Sequence, residues 1–110
     1  MNNLFSIPAE YGLPDSPERF EPIVVGAHGL LLERIVSHGH TTPEGQWYDQ
    51  ERDEWVAVIE GEAIITYHDG SEITLAKGDH VFIPRHVRHR VAYTGSPCVW
   101  LAVHGELDVP

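Results

Sequence analysis

From residue 23 onwards the chain falls into short runs dense in β-branched and aromatic residues: IVV, LLLERIV, EWVAVIE, EAIITYH, SEITLA, HVFIP, RHRVAY and CVWLAVH. Each is the length of one strand. Turn-forming residues separate them at Gly26, Gly39, Pro43 to Gly45, Gly61, Asp69-Gly70, Gly78-Asp79 and Gly95 to Pro97, a spacing typical of an all-β sandwich or barrel. Asp69-Gly70 has the composition of a two-residue type I′ hairpin. Nothing beyond the first 22 residues shows a 3.6-residue period, so the pattern predicts one all-β domain of about eight short strands over residues 23–110. Residues 1–22 are rich in Pro and acidic groups, with Leu4, Phe5, Ile7 and Phe20 as large apolar anchors. They read as an N-terminal arm lying on the domain.

Alternation along EWVAVIE sends Glu54, Val56 and Val58 to one face and Trp55, Ala57 and Ile59 to the other. Both faces carry apolar groups, where a half-solvated antiparallel strand would show a polar one. The second face therefore needs a cover: the second sheet, the arm or another subunit. A homodimer is the favoured expectation, with cover by the arm alone as the alternative.

Composition narrows the partners. With 110 residues there is room for one domain. Seventeen acidic against seven basic residues give a formal charge of −10, which argues against nucleic acid and anionic membrane surfaces. Cys98, the single cysteine, lies in the apolar run CVWLAV and reads as a small core residue. The start MNNLFSIPAEYG has neither the basic nor the apolar region of a secretion signal. A cytoplasmic protein is the expectation.

Glu54 is followed by six residues and then Gly61, and Gly78 by five residues and then Pro84, with His89 five positions further on. This ordering resembles the paired signatures of the cupin family of small barrels over residues 30–104, and implies a double-stranded β-helix, or jelly-roll, fold. It also implies a metal-binding barrel whose ligand slots include Glu54 and His89. The family's two first-signature histidines correspond by spacing to Tyr48 and Gln50; its usual glycine and asparagine of the second signature correspond to His86 and Tyr93. A true His-x-His does occur at His38 and His40, but thirteen residues separate it from Glu54. Ligands at i and i+2 of a strand share a face and need a short return to the glutamate. TTPEGQ reads as a loop leading to a strand that begins near Trp47, so Tyr48 and Gln50 take the slots in the preferred register, with His38 and His40 as the alternative.

A carboxylate facing valines is costly unless it is paired, protonated or bound to a cation. Glu54, His89 and the Gln50 amide oxygen would offer a mixed oxygen and nitrogen set suited to Zn, Fe, Mn, Ni or Co. Glu54 could instead pair with Arg34 or Arg88, and His89 could be a hydrogen-bonded core histidine. Tyr48 and His86 are candidate proton carriers, and Tyr48 could equally be a pocket wall. Arg88 and Arg90 alternate away from His89 and read as a charged rim. His28 and His68 sit beside turns and read as exposed, His104 as a satisfied core or edge group. Three functions follow: a metal-dependent enzyme on a small organic substrate (the resemblance implies oxygenase, isomerase or lyase chemistry), a non-catalytic ligand-binding or sensor module, or a barrel whose metal site has degenerated into a structural polar cluster.

Overall fold

A computed structural model describes residues 2–110. In it the apolar runs become eight strands: β1 (Arg19–Val25), β2 (Leu31–Ser37), β3 (Asp53–Glu60), β4 (Ala63–Tyr67), β5 (Glu72–Leu75), β6 (His80–Ile83), β7 (His89–Thr94) and β8 (Cys98–Gly105). They pair antiparallel in two sheets, ordered β1-β2-β8-β3-β6 and β5-β4-β7. The inward residues of each strand alternate with outward ones, so the facing sides bury Val56, Val58, Ile65, Leu75, Ile83 and Trp100 in one core. The result is the all-β domain that the strand pattern predicts, in the jelly-roll form that the resemblance implies.

Three local details depart from the sequence reading. The first is β1, which takes in Arg19 to Pro22, residues assigned to the arm. Pro22 is tolerated because β1 is an edge strand, where a missing N–H need not break a ladder, and a register shift follows it before Val24. At the β4–β5 connection Gly70, and not Asp69, takes a positive φ, of 91°. Gly70 N–H donates to Tyr67 O at 2.9 Å and Tyr67 N–H to Ser71 O at 2.8 Å, closing a three-residue loop in place of the expected two-residue type I′ turn. Asp69 Oδ1 favours this form by accepting from Ser71 N–H at 2.9 Å. Finally, the strand expected near Trp47 is reduced to a single bridge between Tyr48 and His89.

The residues ahead of β1 are tied to β2 by a buried cation. Arg34, 8% exposed, donates to the backbone oxygens of Leu4 at 3.0 Å and Ser6 at 2.7 Å, and through Nε to Glu21 Oε1 at 2.7 Å. Arg34 is thereby unavailable to Glu54. At the end of β3, Gly61 has φ +81°, and a Cβ there would collide with the Pro97 carbonyl oxygen and lie 3.1 Å from Cys98 Cα. Only glycine meets both demands, which is the physical content of the fixed gap between Glu54 and Gly61.

Candidate functional site

Between the sheets lies a cavity of about 330 Å³, lined by Glu33 from β2, Glu54 and Val56 from β3, His89 from β7, Trp100 and His104 from β8, and by Tyr48, Gln50 and Arg52 from the segment before β3. Its size is at the lower end of the roughly 300–1,000 Å³ of small-molecule sites. The segment before β3 reaches the cavity by running along the free flank of β7. Thr42 N–H donates to Val91 O at 2.9 Å, Tyr48 N–H to His89 O at 2.8 Å, and His86 N–H to Gln50 O at 2.8 Å. Tyr48 thereby stacks on His89 with ring centroids 5.5 Å apart. Burial, then the nearby carboxylates of Glu18 and Glu54, push the Tyr48 phenol above its ordinary range, so it remains a hydrogen-bond donor through neutral pH.

Glu54 is 8% exposed and meets three polar neighbours. Gln50 Nε2–H donates to its Oε1 at 3.3 Å, His89 Nε2 stands 3.7 Å from the same oxygen, and His104 Nε2 stands 3.6 Å from Oε2. The last two distances are too long for hydrogen bonds. His104 Nε2–H is committed instead to Glu33 Oε1 at 2.9 Å, which leaves its buried Nδ1 without a partner. His89 Nδ1–H donates to Val87 O at 2.9 Å, which turns its Nε2 towards Glu54. A backbone partner on the far nitrogen is the usual support of a metal-ligating histidine.

Glu54 and His89 thus fit a divalent cation shared between one oxygen and one nitrogen. Among the described residues no group of three or more His, Cys, Asp or Glu side chains is gathered to hold one, so any further ligand would be the neutral Gln50 amide, turned over to present its oxygen, or solvent. That is the donor set of an open site, not of a closed structural one.

Of the sequence candidates, the structure brings together Tyr48, Gln50, Glu54 and His89, and leaves three outside. His86 is exposed, pairs with Asp49 at 2.8 Å and does not line the cavity. It holds the left-handed position, φ +63°, of a turn closed by Val87 N–H to Pro84 O, which explains why glycine suits that slot. His40 accepts from His38 N–H at 2.9 Å and bonds Ser16 O at 2.8 Å, while His38 bonds Ser96 Oγ at 3.1 Å. Neither lines the cavity, so the alternative register gathers no site. Glu33 and His104 were not put forward as site residues from the sequence, although parity carries the signal: Leu31, Glu33 and Ile35 share one face of β2, and Trp100, Ala102 and His104 one face of β8.

The cupin domain family model matches residues 34–104. This chain belongs to the cupin family. Among solved structures, the cupin is similar to a protein of Ralstonia eutropha JMP134 provisionally named a mannose-6-phosphate isomerase, with 41% identity, TM-score 0.86, and 97% of this chain and 98% of that one covered. It shares the fold of a cupin-2 domain protein of Shewanella frigidimarina NCIMB 400 (21% identity, TM-score 0.66, 80% of each chain) and of an RmlC-like cupin of Desulfovibrio desulfuricans (16%, 0.71, 96% and 93%). No curated protein matches the chain. Metal binding is common among cupins. No helix among the described residues is long and apolar enough to cross a membrane.

Proposed function

We propose that this cupin binds a small polar organic molecule in the barrel cavity together with a divalent transition metal, Zn, Fe, Mn, Ni or Co, held by Glu54 and His89, and that it is an isomerase of a small hydroxy-carbonyl compound. The observation that carries the reading is the pairing of a buried carboxylate with a buried histidine whose Nε2 faces it at 3.7 Å, too far to bond directly, while its Nδ1 is held by a backbone carbonyl. When bound, a cation there would act as a Lewis acid on a substrate carbonyl or hydroxyl oxygen. The chain's own groups do the rest: Tyr48 donates a hydrogen bond from its neutral phenol, and Glu33 fixes the ring of His104 at 2.9 Å. The resemblance to the Ralstonia protein supports the isomerase class.

The test has two parts. Protein purified without a metal-binding tag is analysed for transition metals as wild type, Glu54→Ala and His89→Ala. It is then incubated in D₂O with small hydroxy-aldehydes and sugar phosphates, following deuterium uptake at the carbon beside the carbonyl by NMR. Stoichiometric metal lost in both variants, with solvent exchange in the wild type, is expected; a wild type that takes up no cation overturns the metal assignment. A second reading, a binding module without turnover, is favoured by the Gln50 hydrogen bond that already serves Glu54, and ligand binding without exchange would select it.

Two copies associate through β1 in this reading. That strand ends its sheet and leaves Phe20, Ile23, Val24 and Val25 at least 48% exposed. Sedimentation giving a monomer at micromolar concentration would remove the dimer.

A further inference from the structure

Arg52 is the one Lys or Arg side chain among the residues lining the cavity, whose walls also carry Glu18, Glu33 and Glu54. Despite those neighbours it makes no ion pair among the described residues, whereas Arg34 is taken by Glu21 and Arg85 by Asp53. Its position is built from the backbone. NH1 donates to Gly29 O at 2.9 Å, and its stem lies so close to Gly29 (φ +77°) that a Cβ there would stand 3.2 Å from Arg52 Cδ. One nitrogen anchors the guanidinium; the remaining N–H groups have no protein acceptor among the described residues.

From this placement we infer that Arg52 is an anion-binding residue of the cavity, taking the carboxylate or phosphate group at one end of a small hydroxylated ligand. The inference rests on the reading above that the cavity holds a small molecule. Its chemistry follows from the walls. Arg52 is the one basic side chain on a wall that carries Glu18 and Glu33, which repel a negative charge and accept hydrogen bonds from hydroxyl groups; apart from the cation proposed at Glu54 and His89, it is the group that would draw an anionic end. A ligand with one anionic end and an uncharged hydroxylated body satisfies both conditions. Arginine suits the anionic end because its planar fork meets a carboxylate or phosphate with two N–H donors.

Three probes that differ only at carbon 6, mannose, mannuronate and mannose 6-phosphate, separate the possibilities by isothermal titration at fixed salt. The wild type is expected to bind at least one charged probe more tightly than mannose, and the stronger of the two distinguishes carboxylate from phosphate. Arg52→Gln is expected to lose roughly ten- to a hundredfold of that affinity while its affinity for mannose is unchanged. Arg52→Lys, which keeps the charge and loses the fork, should fall between. Arg88→Gln, which removes an exposed charge away from the cavity, should bind all three as the wild type does. If mannose binds as tightly as the charged probes, or Arg52→Gln keeps the preference, Arg52 is a rim residue only and the inference fails while the cavity reading stands. If none of the three binds the wild type, the cavity reading fails and takes this one with it.

Discussion

His104 Nε2–H donates to Glu33 Oε1 at 2.9 Å across the β2–β8 ladder. The two are diagonal neighbours, since His104 lies opposite Leu31 and Glu33 opposite Ala102. On its other side His104 lies opposite Glu54 in β3. The central strand therefore carries an imidazole with a carboxylate on each flank, and it spends its proton on one of them.

Replacing Glu33 by Leu leaves the His104 N–H buried and unpaired. A loss of about 1–3 kcal/mol in urea unfolding is expected, and Glu33→Gln, which keeps an acceptor, should recover part of it. Equal losses in both variants would show that the hydrogen bond contributes nothing.

Asp53 adjoins Glu54 in sequence but works outside the cavity. Its carboxylate accepts from Arg85 N–H at 2.9 Å and Leu107 N–H at 3.1 Å, and with the Arg85 guanidinium these hold its carboxyl at about 2, against an ordinary 3.8. A depressed folded-state value stabilises above the unfolded one and is lost as the pH falls through the folded one. Asp53→Asn should therefore lower Tm at neutral pH, and the gap to wild type should close between about pH 3.8 and 2. A gap that is independent of pH would rule out this origin.

Gly61→Ala forces a Cβ into the backbone of Pro97 and Cys98 at a left-handed position. The conformational penalty alone is about 1–2 kcal/mol, so the collision should take the loss beyond that in a urea titration. Gly45→Ala, with open space around it at φ +81°, gives the conformational part alone and is the control. Equal losses would mean that the backbone moves aside.

Cys98 is fully buried, and burial followed by the charges of Glu18 and Glu62 pushes its thiol up to about 12. Native protein at pH 8 should resist a thiol reagent that labels the urea-unfolded chain within minutes. Rapid native labelling would mean that β8 opens readily.

The strand count was legible because it rests on local spacing, period-two runs and turn residues; Glu54 and His89 were put together only by the resemblance to the family's two signatures. Tyr48 and Gln50 were found by counting back from Glu54 with the spacing of the family that the chain resembles, although the segment that carries them runs along the flank of β7 and is not the strand expected. Glu33 and His104 were not put forward because they join the cavity only through the pairings of β2, β8 and β3, and Arg52 because its hold on Gly29 O joins two segments distant in sequence. A charged residue on the inward parity of a run such as LLLERIV is the local trace such pairings leave. His86 misled for the opposite reason, since a turn that needs a left-handed residue explains its position without any chemistry.

The arm's attachment to Arg34 has a mechanical corollary. Its moorings are polar, its Phe5 and Leu13 remain more than half exposed, and each hydrogen bond to the Arg34 guanidinium contributes a net of only about 1.5–3 kcal/mol. The arm is then the shallowest-rooted part of the molecule, free to peel and re-dock while the barrel stays shut. Amide exchange should register that as two separate opening energies, a small one for the strap and a large one for the staves.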